Sequence, residues 1–156
     1  MEDNQFIPRF AKLHGSIDTN SIIPPTWNKG VNKQEILSAW QLAYNSLIDA
    51  NHLRIIGYSL PTTDTYIKYL LKSAVMKAQH LKSIDIICLD SDGSVKERYE
   101  NFITFKYYRF ANRNVIDYLQ TNYKKYEKMG IKDPVTELPL DRLEDAHEEF
   151  FQSSSE

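Results

Sequence analysis

The stretch Leu53-Arg54-Ile55-Ile56-Gly57-Tyr58-Ser59-Leu60-Pro61 decides how this chain is read. Its opening residues are mostly apolar and β-branched, last for one short strand and stop at a glycine, as a strand buried in a parallel sheet requires. Farther on, Ile84-Asp85-Ile86-Ile87-Cys88-Leu89 repeats the pattern and finishes at Asp90, before the turn Ser91-Asp92-Gly93. Between the two runs a helix is expected, with Thr63 or Asp64 as its N-cap and Tyr66, Ile67, Leu70, Leu71, Ala74 and Val75 on its apolar side, ending near His80. Strand, helix and strand in this order form the unit of a parallel sheet with crossover connections.

Toward the N-terminus, Ile36, Leu37, Trp40, Ala43, Tyr44, Leu47 and Ile48 recur at three- and four-residue spacing, which predicts a helix with one wide apolar stripe starting at about Lys33. Before it, Pro24-Pro25 and Asn28-Lys29-Gly30 mark a loop, and Phe10-Ala11-Lys12-Leu13 reads as a short strand leaving the sheet at His14-Gly15-Ser16. Toward the C-terminus, a helix from Ser94 to Phe102, a strand at Thr104 to Phe110 and a helix capped by Asn112 or Asn114 and carrying Val115, Ile116, Leu119 and Tyr123 complete the pattern. The expected fold is α/β, a partial Rossmann-like domain with a parallel sheet of about four strands and helices on both faces. Residues 1–130 are assigned to this domain. Residues 131–156, with Pro134, Pro139, the acidic run Glu144 to Glu149 and Ser153-Ser154-Ser155, are assigned to an acidic, partly ordered tail in which Leu140 to Phe151 can form a helix, docked or loose.

The bulk composition narrows the function classes. With 156 residues, 42% of them hydrophobic and 12% aromatic, the chain has the material for a core. Nineteen basic and twenty-one acidic side chains leave a net charge of -2, so no global field draws it to nucleic acid or to an anionic membrane. Lys124, Lys125 and Lys128 among Tyr118, Tyr123 and Tyr126 are explained as the outer and inner sides of one helix, not as a nucleic-acid surface. The single cysteine, Cys88, lies in an apolar run and is expected to be a small buried hydrophobe. Met1-Glu2-Asp3-Asn4-Gln5 has no secretion-signal character and no run reaches the roughly 18 apolar residues of a membrane span. A cytoplasmic location is expected.

In an open parallel sheet, ligands bind beyond the carboxyl ends of the strands, so His14-Gly15-Ser16, Gly57-Tyr58-Ser59 and Asp90-Ser91-Asp92 are expected to share one rim. Each has a structural explanation beside the functional one. His14 at a strand end serves structure or chemistry, Gly57 suits any turn, Ser59 caps a helix or meets a phosphate, and Asp90 accepts either ribose hydroxyls or the amides of a helix N-terminus. His52, His80 and His147 fall near helix ends or in the tail and are read as solvated surface residues. Neither a G-x-G-x-x-G nor a Walker loop occurs, and no serine elbow, H-E-x-x-H or cysteine pair supports a hydrolase of those types or a metal site.

Lys12-Leu13-His14-Gly15-Ser16-Ile17, the loop ending in Pro24-Pro25-Thr26-Trp27-Asn28-Lys29, and Ile55-Ile56-Gly57-Tyr58-Ser59-Leu60-Pro61 with Thr63-Asp64 together resemble the second half of a bacterial sirtuin-like domain. The resemblance covers about residues 10 to 120. It implies that His14 is a general base acting on a ribose hydroxyl of NAD while the bond to nicotinamide breaks. It further implies that Gly15 permits close backbone approach, that Gly57 and Ser59 pack against the ribose or phosphate region, and that Asp90 pairs with the adenosine ribose. The family's glycine-alanine-glycine phosphate loop belongs N-terminal to the histidine, where the chain has thirteen residues. The zinc cysteines of deacetylating sirtuins are absent, so no zinc is expected and the likeness is to the sirtuin-like NAD-cleaving domains of bacterial antiphage systems.

Two functions follow as expectations. The first is NAD hydrolysis by the intact protein, with NAD as substrate, NAD or ADP-ribose as ligand, and little turnover by these 156 residues alone. The second is a non-catalytic nucleotide-binding or interaction module, whose uncovered sheet edge pairs in a homo-oligomer or with the N-terminal half of the parent domain.

Overall fold

Alternation of apolar runs with amphipathic helices gives a three-stranded parallel sheet and five helices in this computed structural model, which describes residues 9–15, 34–104, 106–128 and 140–153. The helices are α1 (Gln34–Ile48), α2 (Thr65–Lys77), α3 (Ser94–Glu100), α4 (Val115–Lys128) and α5 (Leu140–Gln152), and the strands are β1 (His52–Ile56), β2 (Ser83–Ile87) and β3 (Tyr108–Ala111), in the sheet order β1-β2-β3. Two compact units result. One comprises residues up to 51 together with 61–81; the other comprises 52–60 and 82 onward, and contains the whole sheet.

Helices α1 to α5 and strands β1 and β2 form where the sequence pattern puts them, seven of the expected elements. Two features differ. Residues 10–13 form no strand: the chain turns there, with the Gly15 N–H donating to the Lys12 carbonyl, and Phe10 is 83% exposed. Four residues interrupted by basic Lys12, with Phe10 left in solvent, bury too little surface to hold the segment to a sheet. The third strand starts at Tyr108 and not at Thr104. The acidic segment carries helix α5, packed against α4, and the loop bearing Pro24-Pro25 lies outside the described residues.

In the first unit α1 and α2 pack on each other, with Ile36, Leu70, Leu71 and Ala74 buried. The Lys77 ammonium lies 5.8 Å from the centre of the Tyr44 ring, a cation–π contact joining the two helices.

In the second unit the two faces of the sheet are built differently. Alternation along the strands sends Ile84, Ile86 and Phe110 to one face, where Phe110 meets the buried Tyr99 of α3 at a ring separation of 6.5 Å. The opposite face carries a polar row, because the register aligns Arg54 with Asp85 and Asp85 with Arg109. Helix α5 answers the row residue by residue: Glu144 pairs with Arg54, His147 with Asp85 and Glu148 with Arg109. These three helical positions stand three and four residues apart, so they share one face of α5. Below them Phe150 and Phe151 close an apolar cluster with Ile87, Ala111 and Tyr118.

Asp85 is the centre of this arrangement. Its side chain is buried and accepts from Arg109 Nε at 2.7 Å, Arg109 Nη2 at 3.0 Å, His147 Nε2 at 3.0 Å and Ser83 Oγ at 3.4 Å. Tyr118 of α4 meets the other ring nitrogen of His147 at 3.1 Å, so the chain of contacts joins β2, α5 and α4. His147 is therefore no solvated tail residue but one with 0% exposure. Burial by itself raises the Asp85 carboxyl pKa, yet the hydrogen bonds from His147 and Arg109 and the Arg109 charge outweigh it and hold the group well below the usual carboxylate range. The guanidinium also lies 4.4 Å from the centre of the Phe151 ring, so its faces and edges are both used.

Removing the carboxylate leaves Arg109, 37% exposed, with Glu148 alone and leaves the buried His147 without its charged acceptor. Asp85→Asn is expected to cost about 1–3 kcal/mol of unfolding free energy in urea titrations near neutral pH. Because the folded carboxyl lies below its unfolded value, the stabilisation is full above the ordinary carboxylate range and is lost as pH falls beneath it. The wild type should lose stability steeply on acidification and the Asn variant much less, and equal acid sensitivity of the two would refute the assignment.

Candidate functional site

The sequence-predicted site residues fall into two groups, one in each unit. Gly57, Ser59 and Asp90 follow the carboxyl ends of β1 and β2 in the second unit, while His14 and Gly15 belong to the first.

Gly57 continues the ladder of β1, its N–H donating to the Ile87 carbonyl at 2.8 Å, and then turns the chain with φ of 71°. A Cβ at this position would stand 2.9 Å from Val115 Cγ2, at the first turn of α4. Glycine is thus required twice, by backbone conformation and by the approach of the helix. Three residues later Leu60 also has positive φ, 51°, which is uncommon for a side chain of its size. The strained turn is held from one side by α3: Tyr99 Oη donates to the Tyr58 carbonyl at 2.7 Å and Arg98 Nε to the Ser59 carbonyl at 3.2 Å. Desolvation in this packing drives the Tyr99 hydroxyl pKa far above its ordinary value, so the group serves as a proton-bearing donor at any physiological pH.

Asp90 is fixed on both its backbone and its side chain. Its N–H donates to Asn112 Oδ1 at 2.7 Å while its carbonyl accepts from Asn112 Nδ2 at 2.6 Å, a two-point bond that ties the end of β2 to the end of β3. The carboxylate oxygens accept from the Val95 and Lys96 amides at 3.2 and 2.9 Å, at the N-terminus of α3. The helix-capping explanation of Asp90 is therefore realised in the fold. Next to it Cys88 is buried as expected, with its thiol pKa raised by desolvation and by the Asp90 charge.

In the first unit His14 Nε2 lies 3.8 Å from Asp64 Oδ2. Asp64 is buried and caps α2, its Oδ1 accepting from the Ile67 amide at 3.4 Å. Of the two N-cap candidates in the sequence, Asp64 is the one used. The Leu13 carbonyl accepts from Trp40 Nε1 at 2.9 Å, and Gly15 follows with φ of 78°. The histidine thus sits between a residue pinned to α1 and a glycine turn, facing the cap of α2. The sequence contains no spacing that signals this pair, since an N-cap aspartate and a loop histidine are each commonplace alone.

Among the described residues there is no group of His, Cys, Asp and Glu side chains able to hold a metal ion, and no helix is long and apolar enough to cross a membrane. Compared with protein-family models, with curated proteins and with solved structures, the chain gives no significant match. The α/β sheet with its strand-end turns is what the structure itself supplies.

The double requirement at Gly57 makes a direct test of the turn. Gly57→Ala is expected to lower unfolding free energy by about 1–3 kcal/mol, the cost of a non-glycine residue in left-handed conformation plus the shift of Val115. A denaturant midpoint equal to wild type would show that the turn relaxes freely.

Proposed function

We propose that this chain is part of a sirtuin-like NAD-binding domain and that the intact protein hydrolyses NAD to nicotinamide and ADP-ribose. The observation that carries the reading is His14 beside the buried Asp64 within the Leu13-His14-Gly15 segment. A general base needs an orienting partner, and the Asp64 carboxylate 3.8 Å from the ring is placed to be one. In this reading His14 takes a proton from a ribose hydroxyl while the bond to nicotinamide breaks and positive charge develops on the ribose. Gly15, next to it in the same unit, allows the backbone close approach. The parallel sheet supports the reading at the level of architecture, because strand-end turns such as 57–60 are where open α/β sheets bind nucleotides.

A second reading is favoured by one specific observation. The Asp90 carboxylate already accepts from two α3 amides, which suits a non-catalytic nucleotide-binding or interaction module as well as it suits a ribose site. The two separate in one pair of measurements. His14→Ala in the intact protein is expected to reduce nicotinamide release from NAD by about 10²-fold or more, the usual contribution of a general base, with an unchanged circular-dichroism spectrum. ADP-ribose binding, followed by calorimetry, should persist in the same variant. Unchanged nicotinamide release removes His14 from the mechanism, and binding without any release in the wild type establishes the second reading.

A further inference from the structure

We propose that Asp64 is the positioning residue of His14: it holds the imidazole proton on Nε2, so that Nδ1 is the atom left to accept a proton. The inference rests on the proposed role of His14 as a base, and it adds a residue and an atom to that role. Four observations within the first unit converge on it.

The two carboxylate oxygens face different groups. Asp64 Oδ1 accepts from the Ile67 amide, and Oδ2 is the oxygen that faces His14 Nε2 at 3.8 Å. The carboxylate is also almost fully buried, its side chain 7% exposed against 40% for the histidine, so its charge acts through little water at the end nearer the protein. Its own position is fixed by the turn that precedes α2, where the Asp64 N–H donates to the Pro61 carbonyl and the Asp64 carbonyl accepts from the Lys68 amide. The histidine's position is fixed independently, by the Trp40 indole on the Leu13 carbonyl and by the turn closed between Gly15 and Lys12. Since α1 and α2 pack on each other, the two anchors belong to one body.

A carboxylate is an acceptor only, so a neutral imidazole facing it is stabilised with N–H on the near nitrogen. The far nitrogen then carries the lone pair. At 3.8 Å the pair is an electrostatic contact that becomes a hydrogen bond with a movement of less than an ångström. The proton taken by Nδ1 would leave an imidazolium whose charge Oδ2 opposes at once, the arrangement in which an orienting acid assists a base without itself changing protonation.

The capping role of Asp64 supplies the control. Asp64→Asn and Asp64→Ser both keep an oxygen acceptor for the Ile67 amide, so α2 retains its cap while the negative charge is removed. The tautomer of His14 is to be read in the full 156-residue chain by long-range ¹H–¹⁵N correlation of the imidazole at alkaline pH, with His14→Gln identifying its signals. The wild type is expected to show Nε2 protonated and Nδ1 bare, and both variants a mixture of tautomers at unchanged melting temperature. In the intact protein, Asp64→Asn is expected to lower kcat for NAD loss about tenfold or more with little change in KM, since only the charge-separated transition state loses its partner. An unaltered tautomer in the two folded variants, or a Nδ1-protonated wild type, overturns the role of Asp64. NAD loss that survives His14→Ala removes His14, and with it Asp64, from the mechanism, whereas an absence of NAD loss in the wild-type intact protein overturns the NAD-hydrolysis reading and leaves the tautomer measurement unaffected.

Discussion

A buried carboxylate cannot remain charged unless the fold surrounds it with donors, and Asp85 is where this fold meets that condition. Its partners come from β3, through Arg109, and from α5, through His147. The requirement therefore works in both directions: the helix is held to the sheet by the charge, and the charge is tolerated because the helix is there. Phe150 and Phe151 pack on Ile87, Ala111 and Tyr118, and each lies under a guanidinium, Arg113 and Arg109 respectively. The polar row of Arg54, Asp85 and Arg109 opposite Glu144, His147 and Glu148 sets a register that sliding would break at three places together.

The same row explains why the sequence was legible in one part and not in another. The strands and the helices α1, α2 and α4 are announced by apolar runs and by three- and four-residue spacing, a signal that depends on each segment alone. Helix α5 is charged over most of its length, and its polar positions look like solvated ones until the strand face opposite is known to be polar as well. An aspartate inside Ile84-Asp85-Ile86-Ile87 was the available clue: an ionisable side chain in an otherwise buried strand demands a partner elsewhere in the chain. The helix amphipathicity is also misleading in α4, where Ile116, Leu119 and Tyr123 of the expected apolar side all stand exposed while Tyr118 lies in the core. The short N-terminal strand failed for the opposite reason, because four residues carry too little pattern to distinguish a strand from an irregular entry to a turn.

Legibility of the candidate site divides in a similar way. The topological rule puts His14-Gly15-Ser16, Gly57-Tyr58-Ser59 and Asp90-Ser91-Asp92 on one rim; the last two do follow the carboxyl ends of β1 and β2, whereas no strand precedes His14, which belongs to the other unit. His14 stands out by its segment, whereas Asp64, the residue that gives it a neighbour, shows in the sequence as a cap and as part of the Thr63-Asp64 pair, with nothing that links it to position 14. Proximity between residues so far apart in sequence arises from the packing of α1 on α2, which no local pattern encodes.

Structural necessity and function are not exclusive, and the residues of the rim illustrate how they combine. Gly57 would be required by Val115 whether or not a ligand ever approached, and Asp90 would cap α3 in an inert protein. Neither residue can therefore discriminate between a catalytic and a purely structural history of this fold. Leu60 is different in kind. A glycine there would adopt the left-handed conformation without cost, yet a leucine occupies the position and its side chain is buried. Burial of that side chain offsets the backbone strain, so the turn is locked in one shape at both of its left-handed positions. A locked turn at the carboxyl end of a parallel strand is a surface that needs no reorganisation on meeting a ligand, and rigidity of this sort is the physical contribution a scaffold makes to binding. In the His14 and Asp64 pair the structural duty falls on Asp64, which caps α2, and the proposed chemistry falls on the imidazole.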